Sequence, residues 1–314
     1  MLRPIPRNVK RNDVYERLKE FMMKKRYIIG IFIGSVLFCS CAKDSALGPD
    51  VSLERDYVLP QGKSPQADGR IVDLYEKYGS YFLYDFTLLD LNWNQVANST
   101  SYKLALGDPA YAGDMLDLLD EVWLQFYPEE FLKKNLPYRV FMADTIYQVL
   151  SYMDRPIECA KTGDNSLAFG YMNADTKKKT AAEKLALKNT VQTLFFDLLQ
   201  VRKVISIPEE FYKISDYSTK ASSDPNDDDY ARKRGFVANP QYGNEWCTYV
   251  NWQTKTLLQS DDLTYFLANI LCRTSTQWAS DLTYPLVKEK YDILVNHFKK
   301  EYNIDLVKIG NKTY

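Results

Sequence analysis

Residues 189–201 read NTVQTLFFDLLQV, and how they fold decides how the rest of the chain is to be read. Leu187, Val191, Leu194, Phe195 and Leu198 recur at three and four residues, which is the apolar stripe of a core-facing helix. The pattern holds from Thr180 to Val201 and predicts one long helix. Within it sits a single carboxylate, Asp197, whose role is a ligand, a solvated edge or a relic. A bare buried carboxylate is costly, so Asp197 is expected to be hydrogen-bonded or water-exposed.

Outward from this helix the pattern alternates in type. Ile71 to Tyr78 predicts a short amphipathic helix, and Tyr81 to Leu91, dense in aromatics and leucine, predicts a buried strand. Ala112 to Phe126 predicts a helix, followed by a second from Pro128 to Lys134. Tyr138 to Leu150 and Ser166 to Met172 carry the β-branched and aromatic residues of strands. Towards the C-terminus, Asn244–Gln259, Asp262–Leu271 and Pro285–Tyr302 read as helices, the last with Val287, Tyr291, Leu294 and Phe298 on one side. The predicted class is α+β, helix-rich toward the C-terminus.

The N-terminal region has a different composition. Met22-Met-Lys-Lys-Arg precedes an apolar run, residues 27–38, and then Cys39-Ser40-Cys41. That is the order of a secretory leader, too short to span a bilayer stably. Phe38-Cys39-Ser40-Cys41 resembles a bacterial lipobox, which makes Cys41 the expected lipidation site. Residues 1–40 are therefore expected to be an upstream extension plus signal peptide, with translation starting at Met22 or Met23. Residues 41–69, rich in Pro, Gly, Ser and Asp, read as a flexible tether, and residues 70–314 as the folded domain.

The whole chain of 314 residues has 40 basic and 41 acidic side chains. Residues 1–40 hold nine and three of these, which leaves 31 and 38 in the mature chain, a net of −7. An acidic mature chain argues against a nucleic-acid partner. Cys159, Cys247 and Cys272 follow Cys41, and one disulfide with a free thiol stays open beside three buried thiols.

One histidine, His297, serves the whole chain, and that count excludes a zinc site built on two imidazoles. The sequence has no G-x-S-x-G elbow, P-loop or G-x-G-x-x-G fingerprint. His297 stands beside the apolar stripe of its helix, a structural position. Asp224, Asp227, Asp228 and Asp229 lack the spacing of a calcium loop and read as a solvated turn. A pair of carboxylates for glycoside cleavage has no sequence spacing to test. Exposed Tyr and Trp faces would suit sugar rings, although most of the 24 tyrosines must serve the core.

The order of segments also carries a resemblance. A leader, a tether, a short helix, strands and a long helix are followed by IPEEFYKIS (207–215), RGFV (234–237), NEW (244–246) and KEKYDILVNHFKKEYNIDL (288–306). This resembles the substrate import-associated zinc metallohydrolase lipoproteins, a zinc-binding metallopeptidase family, over most of residues 70–310. The resemblance implies a zincin-like domain in which the long helix carries H-E-F-x-H and a later N-E segment supplies a carboxylate ligand. Laid on that pattern, Thr193, Leu194 and Asp197 stand at the first histidine, the glutamate and the second histidine, and Glu245 matches the later acid. Thr193 is a poor zinc ligand and Leu194 cannot move a proton, so neither zinc nor a catalytic residue is expected here.

The expectation is a degenerate metallopeptidase-like lipoprotein of a nutrient-import system, acting by binding substrate or partner. The resemblance implies a lipid anchor at Cys41 in the outer membrane and partners such as a TonB-dependent importer of the SusC/SusD kind with its substrate-binding lipoprotein. Asp44 behind Cys41 favours the cell surface over the periplasmic face. The expected ligand is a peptide or a glycan. Two alternatives stay open: an active hydrolase with a non-standard carboxylate site, and a glycan-binding surface lipoprotein.

Overall fold

In the computed structural model, residues 55–92, 101–163, 165–238 and 255–314 are described; Cys41, Glu245 and the expected leader lie outside them. Residues 57–314 make one unit of mixed α and β structure. Its strands are β1 (Tyr81–Leu83), β2 (Ser101–Leu106), β3 (Arg139–Val149), β4 (Asp154–Ile157), β5 (Cys159–Gly163) and β6 (Ser166–Phe169). Its helices are α1 (Asp68–Tyr78), α2 (Leu88–Asn92), α3 (Ala112–Val122), α4 (Glu129–Asn135), α5 (Ala181–Val201) and α6 (Glu209–Lys213), then α7 (Lys255–Cys272), α8 (Ser275–Trp278), α9 (Pro285–Tyr302) and α10 (Leu306–Asn311).

The sheet is organised around β3, whose two halves have different partners. The first half lies between β1 and β6, both parallel to it, with Tyr81 opposite Arg139 and Met142 opposite Phe169. The second half pairs antiparallel with β2 and β4, and β5 closes on β6. Every residue of β1 and β6 is buried, as expected of parallel strands covered on both faces. Alternation sorts their side chains: Phe82, Val140, Met142, Leu167 and Phe169 join the helical core. On the other side Tyr81, Leu83, Phe141 and Ala168 pack with Phe86 and Leu91.

Helix α5 lies at the centre of the helical layer. Its N-terminus is fixed by a capping box, in which Thr180 Oγ1 accepts from the Glu183 amide and Glu183 Oε2 accepts from the Thr180 amide at 2.7 Å. Phe195 meets Trp123 and Tyr127 edge to face at 5.2 and 5.0 Å, and Phe196 reaches Phe298 of α9 at 5.3 Å. Lys188, fully buried in the same helix, donates to the carbonyls of Leu271 and Ile309 in the last turns of α7 and α10. Gly310 is needed for that junction, because a Cβ there would stand 2.3 Å from the Ile270 carbonyl oxygen.

Several expectations change. Residues 57–69, read as the end of a tether, are packed on the body: Ala67 and Ser64 are buried, and Tyr84 donates to Asp68 at 2.6 Å. Gln61 donates to the Phe82 carbonyl and accepts from the Tyr84 and Asp85 amides. That side chain takes the place of a strand partner and ends β1 at Leu83, so the predicted strand Tyr81–Leu91 is cut short and continues as α2. The helices expected over 244–259 and 262–271 are, in their described part, the single helix α7. Asp262 breaks nothing there, because it is buried against Lys290 and Tyr217. The strands β2, β4 and β5 were not foreseen. Pro156 in β4 fits because, among the described residues, that strand pairs with β3 alone.

Candidate functional site

The three positions on α5 singled out by sequence are within one turn of each other. Thr193 donates its hydroxyl to the Asn189 carbonyl at 2.9 Å, and its oxygen lies 3.6 Å from the Cys272 sulfur. Leu194 is half-buried and packs on the helical core. Asp197 is paired with Lys161 of β5, and its side chain is 45% exposed, so the expectation of a hydrogen-bonded or solvated acid describes it.

This set does not fit zinc. Zinc takes thiolate, imidazole or carboxylate donors. Thr193 offers a neutral hydroxyl already bonded to its own helix, Leu194 has no donor atom, and the Asp197 carboxylate serves a lysine. Among the described residues no three His, Cys, Asp or Glu side chains are grouped to hold a metal ion. Glu245 lies outside those residues.

The other sequence candidates are also engaged locally. His297 Nε2 lies 2.7 Å from the Ser206 carbonyl oxygen, and its ring meets Phe298 and Tyr302 edge to face. Burial pushes the Cys159 and Cys272 thiols up, which is the reverse of an activated nucleophile. In the acidic loop, Asp224 accepts from the Asn226 amide and Asp227 from the Asp229 amide, as turn residues do.

A different place gathers open polar groups. Beside the first turn of α5, the middle of β3, the β4–β5 junction and the exit of β6 enclose a cleft of about 570 Å³. Backbone bonds build its floor: the Gly170 amide donates to Glu158, the Tyr171 amide to Asp144 and the Met172 amide to Ala143. They hold Tyr171 at φ 83°, a left-handed conformation that costs a bulky residue of order 1–3 kcal/mol. Its phenol donates to Glu158 Oε1 at 2.7 Å, and burial together with that carboxylate pushes the phenol well up, keeping it protonated as the donor.

Lys179 sits on the face of the Tyr171 ring, with its ammonium 3.0 Å from the centroid. Burial holds this lysine below its ordinary range although Glu183, Glu158 and Asp175 pull the other way. Asn173 donates its side-chain amide to Asp144 Oδ1, and Thr145 donates to Oδ2 at 3.3 Å. Glu183 spends Oε2 on the cap, and Asp175 pairs with Lys178 at 2.9 Å. Sequence reasoning missed this cleft. Its residues come from two strands, a turn and a helix start, and the only local signal was the turn chemistry of Gly170, Asn173 and Asp175.

No family model and no curated protein matches the chain. Among solved structures it is similar to a "putative zinc-binding metallo-peptidase" of Bacteroides caccae, at 12% identity and a TM-score of 0.47, covering 81% of this chain and 92% of that one. A likeness of that degree carries nothing about metal or reaction.

Proposed function

We propose that the chain is a lipid-anchored outer-membrane protein of a nutrient-import system, with a metallopeptidase-like helix whose metal positions have been given over to structure, and that it acts by binding. The observation that supports this reading is the state of Thr193, Leu194 and Asp197: a hydroxyl turned onto its own helix, an apolar side chain on the core and a carboxylate serving Lys161. In the reading, Cys41 carries the lipid, the cell surface is the preferred face, and a TonB-dependent importer with its substrate-binding lipoprotein is the partner.

The test is made on the mature, lipidated chain. Zinc well below one per chain and no peptide cleavage is the expected result. Stoichiometric zinc with peptidase activity that Glu245→Ala abolishes would overturn it. For the anchor, Cys41→Ala is expected to move the protein from the membrane fraction to the soluble one.

A second reading, a hydrolase with a carboxylate site, draws on Asp144 and Glu158 facing one cleft. Mass spectrometry of recovered ligand separates the two, since a binder returns its ligand intact.

A further inference from the structure

We infer that the cleft at the head of α5 is a binding site for a neutral polyhydroxylated ligand, a saccharide, held by Glu158, Lys179 and the groups around them. The inference rests on the reading of the chain as a binding protein and names the ligand class.

The charges on the wall narrow the ligand. Asp144, Glu158, Asp175 and Glu183 are four carboxylates, against the two ammonium groups of Lys178 and Lys179. An anionic ligand would meet an excess of negative charge. A cationic one is drawn by the carboxylates but has to share them with the Lys179 ammonium above Tyr171, and a trilysine probe tests that competition. A lipid or an apolar side chain would find little beyond Pro156, Ile157 and the Tyr171 ring to cover it. A neutral molecule dense in hydroxyls can use the carboxylates and the ammonium together.

The hydrogen-bonding valences suit that class. Glu158 uses one oxygen on Tyr171 and Glu183 one on the helix cap, which leaves each a second oxygen as an acceptor. Lys179 has N–H groups to donate. A sugar presents adjacent hydroxyls that donate to one neighbour and accept from the next, so alternating carboxylate and ammonium groups match it. Carboxylates already fixed by Tyr171, Asn173 and the cap need little ordering on binding, which favours affinity. A volume of about 570 Å³ lies within the range of small-ligand pockets.

The experiment uses the full mature chain, purified in detergent. Isothermal titration and amide-resolved NMR are run with neutral probes (glucose, xylose, mannose, galactose and their hexasaccharides), an acidic probe (trigalacturonate) and a cationic probe (trilysine). Expected is binding of at least one neutral probe, with shifts centred on the amides of Gly170, Tyr171 and Lys179. Glu158→Gln and Lys179→Met should each weaken that binding by about tenfold or more, the loss of one charge-assisted hydrogen bond, at unchanged melting temperature. The wild-type footprint needs no variant, so a variant that fails to fold does not blunt the test.

Preferential binding of trigalacturonate or trilysine overturns the ligand class, and a saccharide footprint elsewhere overturns the site. No response to any neutral probe overturns both. Each of these leaves the binding reading standing, which is removed by the zinc and peptidase result or by turnover of the ligand. Cleavage of a bound saccharide supports the site and its ligand while replacing binding with hydrolysis.

Discussion

The first turn of α5 and the turn that carries Thr193 and Asp197 contain similar residue types, a threonine and an acid each, and do opposite things. In the first turn Thr180 and Glu183 satisfy each other, and Glu183 still lends an oxygen to a cleft. Further along, the Thr193 hydroxyl goes to its own helix and Asp197 goes to Lys161. Residue type therefore does not mark a site. In these two turns the difference is that Glu183 lines a cleft while Asp197 is paired with a lysine.

If the later half of α5 is structure and the head is site, truncation should separate them. Phe195→Ala removes the ring that Trp123 and Tyr127 pack against in a fully buried position. It is expected to cost about 3–5 kcal/mol, read from urea denaturation. A loss below about 1 kcal/mol would mean that the core does not depend on this half, and the contrast would fail.

Lys188 tests the same half through pH. Burial pushes its ammonium down to about 8, and its acceptors are the backbone carbonyls of Leu271 and Ile309. The unfolded chain holds that proton up to about 10.4, so between about 8 and 10.4 it binds more protons than the folded one and stability rises with pH. Below the folded value both states are protonated and the group adds no slope. Lys188→Met should flatten this rise in denaturation midpoints measured across the window. An unchanged slope would place its origin elsewhere.

At the head of the helix, Thr180→Ala removes the hydroxyl half of the capping box and is expected to cost about 1 kcal/mol. It also frees Glu183 from the Thr180 hydroxyl, so the cleft should loosen without the fold being lost. The readout is the denaturation midpoint beside the amide shifts of Gly170 and Lys179.

How much of this was legible depended on how local each cause is. Helix α9 was predicted with its observed bounds because Pro285 starts it and Val287, Tyr291, Leu294 and Phe298 repeat without interruption. Helix α5 and the strand β3 were legible for the same reason. The end of β1 was not, since the group that terminates it is Gln61, about twenty residues earlier in the chain. The helix positions Thr193, Leu194 and Asp197 could be located by resemblance, but that Asp197 serves Lys161 needed β5, a strand too polar to foresee. The cleft was the least legible part, as four separate segments meet there.

The smallest expected effect gives the sharpest test of what Asp197 does. Its pair with Lys161 is partly open to water, with side chains 45% and 30% exposed. Exposed pairs are worth about 0.2–1 kcal/mol and weaken with salt. A double-mutant cycle on Asp197→Asn and Lys161→Met is therefore expected to give a coupling of a few tenths of a kcal/mol that shrinks at high ionic strength. Because the lysine already neutralises the carboxylate, neither substitution should change the zinc content of the protein. A coupling near zero, together with zinc lost in Asp197→Asn alone, would return Asp197 to the role of a ligand and erase the difference between the two turns.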